Sequence, residues 1–189
     1  PSLLELAHTH MGNQNRYSRR LTQSSAQGAS QAILYGVGLS RDDMAKPQVG
    51  ITTVWNEGST CNMHMLRLTE AIKTSVVANG MVGFRSSAVG VNDALAMGTT
   101  GMRYSLPSRD LIADSIETIM AAHWYDANVS VPGCDKNLPG CLLAIARLDR
   151  PAIVVFGGQI APGRLDGRDI DVIDAFQAYG ELIADRIDA

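Results

Sequence analysis

The run Val131-Pro132-Gly133-Cys134-Asp135-Lys136-Asn137-Leu138-Pro139-Gly140 puts a thiol, a carboxylate and an amine on three successive residues, Cys134, Asp135 and Lys136. Soft thiolates suit iron–sulfur clusters, zinc or copper(I), whereas hard carboxylates suit magnesium, calcium or manganese. Side by side they point to a place where a soft centre and a hard cation meet. A second reading is a plain strand-to-helix turn, with Asp135 as its cap and Cys134 as a small buried residue. Cys61, in Gly58-Ser59-Thr60-Cys61-Asn62, stands just before a helical stretch, where the positive helix end eases loss of a thiol proton. It also reads as an ordinary reduced cysteine near a cap. Two thiolates from separate loops fall short of the four ligands of common iron–sulfur or structural zinc sites. Cys141, beside Leu142 and Leu143 in the next helical stretch, reads as packing.

Asp93 follows a strand-like stretch and precedes small residues. With Asp135 it offers two carboxylates to magnesium, which seldom takes more from a protein. As a lone acid it is a turn residue. Lys136 is harder to explain, because an ammonium aimed at a metal edge is repelled. A neutral amine removes that conflict, and so does a carbamate made with carbon dioxide; the residues do not choose between them. His64 and His123 titrate near neutrality. His64 follows Cys61 closely and is a candidate for acid–base work, whereas His123 closes a helix, where a cation is favoured anyway, and reads as structural. The loop Gly98-Thr99-Thr100-Gly101-Met102-Arg103-Tyr104-Ser105 offers contacts to an anionic substrate, and Gly157-Gly158 is only weakly like a phosphate cradle.

These residues must be positioned by a globular chain. It has 189 residues, of which 46% are hydrophobic and 19% charged, which excludes a disordered polymer and fits one domain or a large piece of one. A net charge of -3 and a pI near 5.8 argue against nucleic acid as a partner. Arg16, Arg19 and Arg20 form a small basic cluster that reads as a solvated face or a substrate-facing loop. No apolar run reaches the roughly 18 residues of a membrane span. Pro1-Ser2-Leu3-Leu4-Glu5 lacks the pattern of a signal peptide. Three cysteines without secretory marks suggest reduced thiols in a cytosol-like compartment. The cytoplasm is the default expectation, with a mitochondrion or plastid as the alternative for a processed eukaryotic chain. Eight methionines against three phenylalanines predict a core with flexible aliphatic filling.

Two segments are expected: a polar one over 1–47 holding one helix from Ser30 to about Gly38, and an α/β domain over 48–189, incomplete in itself. Gln48 to Trp55, Met81 to Val91, Asp126 to Val131 and Pro151 to Phe156 read as strands. Asn62 to about Ala78, Ser108 to His123, Pro139 to Leu148 and Val172 to Ile183 read as helices, with Ser108 as a natural cap. Four alternations of strand and helix predict a three-layer α/β fold, a mostly parallel sheet flanked by helices, with strands buried on both faces. Ligand loops of such sheets gather at the strands' carboxyl ends. The loops after Trp55, Val91, Val131 and Phe156 are therefore expected along one edge.

The stretch from Lys46-Pro47-Gln48-Val49-Gly50 to Pro162-Gly163 resembles the amino-terminal part of the dihydroxy-acid dehydratases, which share an iron–sulfur family with sugar-acid dehydratases. The resemblance rests on Cys61-Asn62-Met63-His64, Asp93 with Ala96-Met97-Gly98, and Gly101-Met102-Arg103-Tyr104-Ser105-Leu106-Pro107-Ser108-Arg109. It rests further on Ile112-Ala113-Asp114-Ser115, Cys134-Asp135-Lys136-Asn137 with Pro139-Gly140, and Gly157-Gly158, while Gln27-Gly28-Ala29-Ser30-Gln31-Ala32 is similar to the dihydroxy-acid branch. It implies an iron–sulfur cluster, 2Fe-2S in preference to 4Fe-4S, held by three cysteines, of which Cys61 and Cys134 match two. It implies magnesium on Asp93, Asp135 and carbamylated Lys136, and a hydro-lyase turning a 2,3-dihydroxy acid into a 2-oxo acid in branched-chain amino-acid biosynthesis. A small-molecule substrate and a homodimer of the full-length protein are implied as well.

The chain departs from that pattern in three ways. The family's third cluster cysteine falls past Ala189, and Cys141 is not at its position. A late glutamate ligand and the serine base also fall past Ala189, so no catalytic base is assigned within these residues. The family's usual glycine is replaced by Ala94, and its serine or aspartate by Asn92, so a methyl group is expected to crowd the metal loop or strain its backbone. The reading is an amino-terminal piece of a dehydratase, inactive alone. The rivals are a sugar-acid dehydratase and a non-catalytic remnant that binds a metal or a partner chain.

Overall fold

A computed structural model of the chain describes residues 14–188. Pro1 to Glu5, the opening residues read above for a signal peptide, lie outside them. The polar segment forms a single turn, α1 (Arg19–Thr22), and a helix, α2 (Gly28–Gly36), two residues ahead of the expected Ser30 start. The alternation that follows is β1 (Gln48–Thr53), α3 (Met65–Ala78), β2 (Val82–Ser87), the turn α4 (Asp93–Ala96), α5 (Ser108–Ala122), β3 (Ala127–Val131), α6 (Asn137–Leu148) and β4 (Ala152–Val154). The sheet runs in the order β2-β1-β3-β4 with every pair parallel, in register Gln48 to Val82, Val49 to Ala127 and Asn128 to Ala152.

Period-two alternation divides the strands between two cores. Val49, Ile51, Val129 and Val131 pack with Met65 and Val76 of α3 on one face. On the other, Ile112, Ile116 and Met120 of α5 pack with Cys141 and Ala144 of α6. Helices on both faces of a parallel sheet make the three layers expected. Cys141 is fully buried there, and burial pushes its thiol up to about 12, so it is a packing residue. Met65 and Met120 fill the two cores, as the methionine-rich composition suggests.

Three local expectations are corrected. β4 is an edge strand of three residues, and Ile153 is 62% exposed, so its apolar run is not covered on both faces. Ser108 does not cap α5: Pro107 holds the cap position, and the Ser108 hydroxyl turns back to donate to the Ser105 carbonyl at 2.6 Å. An antiparallel hairpin, β5 (Gly163–Leu165) and β6 (Arg168–Ile170), was not foreseen. Its turn residues Asp166 and Gly167 both have positive φ, 50° and 77°, as a tight two-residue hairpin turn requires. The last helix, α7 (Val172–Ile183), starts and ends where the pattern predicts, held by a capping box between Asp171 and Asp174.

Gly140 on α6 lies against α5, where an added Cβ would sit 2.9 Å from the Ile112 side chain and 3.0 Å from the Arg109 carbonyl oxygen. Gly140→Ala is expected to cost about 2 kcal/mol by forcing the helices apart; an unchanged chemical-denaturation midpoint would show that the contact is slack. Between the polar segment and β1, Lys46 and Ser40 hold the Asp43 carboxyl well below the usual carboxylate range. Its folded value is depressed, so the stabilisation is present above the unfolded value near 3.9 and is lost as pH falls further. Asp43→Asn should lower stability by less than about 1 kcal/mol at neutral pH, because the ion pair is solvated. That difference should shrink when melts are repeated below about pH 4.

Candidate functional site

Because all four strands are parallel, their carboxyl ends open on the same side, and the loops leaving them meet in one cleft of about 570 Å³. The β1–α3 loop supplies Cys61, the β2–α4 loop Asn92 and Asp93, and the β3–α6 loop Cys134 and Asp135. Phe156, Gln159 and Ile160 after β4 and the first residues of α7 complete the wall. All four loops named from the pattern therefore reach one place.

The two cysteines are brought together by a close approach of backbone. A Cβ at Gly133 would lie 2.5 Å from the Cys61 carbonyl oxygen and 2.7 Å from Asn62 Oδ1, so only glycine lets the loops touch. Burial, then the neighbouring Cys134 thiol, push the Cys61 thiol up to about 11. The helix-end effect expected to ease its ionisation does not prevail. α3 begins at Met65, beyond the cap residue His64, and the largely buried pair outweighs the distant helix end. A soft cation would have to displace protons from this pair to bind.

On the other side of the cleft, Lys136 Nζ donates to Asp93 Oδ2 at 3.0 Å and also to Asp135. Asp135 and Asp93 together raise the Lys136 pKa, and Lys136 lowers that of Asp135. Lys136 Nζ thus bridges the two carboxylates. Asp93 Oδ1 remains buried with no hydrogen-bond partner. An orphaned carboxylate oxygen beside a second carboxylate is an apt donor set for a hard cation. Two neighbouring thiols are likewise an apt half of a soft-metal or iron–sulfur ligand set. Among the described residues, no three His, Cys, Asp or Glu side chains gather into one ligand group.

His64 is not free for acid–base work. Its Nε2 lies 2.7 Å from the Gly157 carbonyl oxygen, which ties the start of α3 to the loop after β4. His123 contacts the Tyr125 hydroxyl through Nδ1 at 3.1 Å, a structural contact as expected. Asn92 caps α4 by accepting from the Leu95 amide, and donates to Ser59 Oγ at 3.2 Å, linking the Asp93 and Cys61 loops. Ala94 sits within α4 and is not among the residues with positive φ, so its methyl group imposes no strain there. Met97, just before the glycine-punctuated loop, and Met102, within it, line the cleft. Asn62 and Asn137 carry no role in the motif reading, yet both are fully buried between the cysteine loops. Their signal was present in the sequence: an amide directly after one cysteine, and another three residues after the other.

Residues 46–189 match the family described as dihydroxy-acid/6-phosphogluconate dehydratase, N-terminal. The chain belongs to this family. Over 173 residues it is 59% identical to a chloroplastic dihydroxy-acid dehydratase of Arabidopsis thaliana, covering 92% of this chain and 28% of that protein. It is 56% identical to a dihydroxy-acid dehydratase of Francisella tularensis subsp. novicida and 55% identical to a mitochondrial one of Schizosaccharomyces pombe, covering 31% and 30% of them. The chain thus spans less than a third of the length of these dehydratases. No helix among the described residues is long and apolar enough to cross a membrane.

Proposed function

We infer that this chain forms part of the active site of a hydro-lyase that removes water from a 2,3-dihydroxy carboxylic acid to give a 2-oxo acid. The observation that carries this reading is the single cleft in which the Cys61–Cys134 pair faces the Asp93–Asp135–Lys136 cluster. Cys61 and Cys134 would hold an iron–sulfur cluster in company with a further ligand, with 2Fe-2S preferred over 4Fe-4S on the family resemblance alone. Asp93, Asp135 and a carbamylated Lys136 would hold magnesium. When bound, these groups supply Lewis acidity for a departing hydroxyl and charge neutralisation for a carboxylate.

The chain's own residues bind and orient. The Gly133 contact fixes the thiol pair beside the acidic cluster, so a small hydroxy acid lying between them would turn its C3 hydroxyl toward the thiol side and its carboxylate and C2 hydroxyl toward the acid side. Loss of the C3 hydroxyl and the C2 proton gives an enol that tautomerises to the ketone. No residue here is assigned as the base that takes the C2 proton. Met97, Met102, Leu138, Phe156 and Ile160 make the adjoining wall apolar. That wall suits the alkyl end of a branched dihydroxy acid, and it would leave the hydroxyls of a sugar acid unpaired. Branched-chain amino-acid biosynthesis is the setting that uses such acids.

The test is anaerobic reconstitution of the full-length polypeptide with iron, sulfide and magnesium, followed by assay on a branched dihydroxy acid and on an aldonate. Iron and sulfide in equal amounts, with turnover of the branched acid by at least tenfold over the aldonate (about 1.4 kcal/mol of discrimination), is the expected result. A colourless, sulfide-free protein that binds zinc instead would overturn the cofactor reading, and preference for the aldonate would overturn the substrate reading.

A further inference from the structure

The two cysteine loops are joined by side chains as well as by the Gly133 contact. Asn62, the residue after Cys61, donates through Nδ2 to the Val54 carbonyl at the end of β1 and to Asn137 Oδ1 at 2.9 Å. Asn137 Oδ1 also accepts from the backbone amide of Cys134 at 2.9 Å. One amide oxygen therefore receives two donors, one from each cysteine loop. Both asparagines are almost wholly buried, with Asn62 1% and Asn137 0% exposed. A cluster of this kind is costly to bury, since Asn62 Oδ1 and Asn137 Nδ2 find no partner. Apolar residues would satisfy that volume at lower cost, so the pair needs a reason.

We propose that Asn62 and Asn137 are positioning residues: a side-chain clamp that sets the separation of the Cys61 and Cys134 thiols before any metal or cluster arrives. The chain Cys61 loop–Asn62–Asn137–Cys134 amide links the two loops through two hydrogen bonds to one oxygen. Asn137 sits at the first position of α6, so the clamp also ties the thiol pair to the start of a helix packed in the core. The closeness of an added Cβ at Gly90 to Asn137 Nδ2, 3.1 Å, shows that the Asp93 loop packs on the same clamp. The clamp thereby sets the thiol side and leans against the acid side of the cleft. This rests on the proposed function only in treating the thiols as a ligand pair; their preorganisation stands or falls separately.

The probe is phenylarsine oxide, used on the metal-free full-length polypeptide. Trivalent arsenic forms two As–S bonds, while its oxygen leaves as water with the two thiol protons, so no electron is transferred and two close thiols are needed. Cys61→Ser and Cys134→Ser should each weaken capture, and Cys141→Ser should not. Asn137→Leu removes both accepted hydrogen bonds and is expected to weaken capture about tenfold. Asn137→Asp keeps an acceptor oxygen in place and is expected to hold capture within about threefold. Ile116→Val, a core change away from the cleft, controls for general loss of stability and should leave capture unchanged. Unchanged capture in Asn137→Leu, or equal weakening in Ile116→Val, overturns the clamp. Should Asn137→Leu fail to fold, Asn62→Ala removes the same bond from the other side, and unchanged capture there overturns it equally. Clamp-dependent capture in a protein that never takes up iron and sulfide would leave the clamp standing and remove the cluster from the proposed function.

Discussion

Replacing Cys134 with serine is expected to abolish iron and sulfide uptake in reconstituted full-length protein, whereas replacing Cys141 should leave it intact. The contrast follows from where the two thiols sit. Cys134 lines the cleft next to Cys61, and Cys141 is enclosed between α5 and α6 with Ser130 as its polar neighbour. Serine keeps the shape of cysteine and removes the soft donor, and iron–sulfur clusters depend on that donor. The loss should be complete rather than graded, because the pair supplies only two thiols and neither has a spare nearby among the described residues. Cys141→Ser should instead lower stability by about 1 kcal/mol through burial of a hydroxyl in an apolar core. Visible absorbance with iron and sulfide analysis reads the first effect, and a denaturation curve reads the second. Full cluster content in Cys134→Ser would remove Cys134 from the ligand set, and loss of the cluster in Cys141→Ser would place the third thiol at the site after all.

The legible part of this chain was the part governed by local pattern. β1 carries Val49, Ile51, Thr52 and Thr53, β3 carries Val129 and Val131 at period two, and α7 carries its own acidic cap, so their existence and extent follow from the residues themselves. The convergence of four loops was legible too, because strand–helix alternation forces parallel pairing, and parallel pairing forces the carboxyl ends together. β4 was misread because an apolar run does not announce whether helices will cover both of its faces. The Asp166-Gly167 turn was missed, although that dipeptide is a strong hairpin signal, because no long strand flanks it. The Cys61 thiol was misjudged for a different reason. Its acidity depends on burial and on a thiol 73 residues away in sequence, and the local helix-end argument sees neither. Asn62 and Asn137 illustrate the same limit, since each looks like a loop amide until the other is placed beside it.

Asp126→Ala is expected to release the polar segment from the α/β domain and to destabilise the protein by about 3 kcal/mol. Asp126 is buried at the amino end of β3, and its carboxylate accepts three backbone amides: Tyr17 at 2.7 Å, Ser18 at 3.0 Å and Gln48 at 2.8 Å. Two of these donors belong to the segment before β1 and one to β1 itself, so a single side chain joins the segment to the sheet. Alanine leaves three largely buried N–H groups without acceptors, and each such loss costs about 1–3 kcal/mol, partly recovered by water entering the gap. Asp126→Asn retains one acceptor oxygen but turns an NH2 toward the remaining donors, so its cost should fall between those of the parent and alanine. Protease cleavage within residues 14–47 should accelerate in the same order. The cleft should not respond below the unfolding transition. Five strand residues separate Asp126 from the cysteine loop, about 17 Å along β3, and no group of the cleft touches the carboxylate. Arsenical capture by Cys61 and Cys134 therefore stays at the parent level in Asp126→Ala under native conditions. A loss of capture without loss of fold would mean that the polar segment helps to shape the cleft. Unchanged cleavage and an unchanged melt would mean that the segment is held by its other contacts, such as the stacking of Arg150 on Tyr17 and of Arg20 on Trp124.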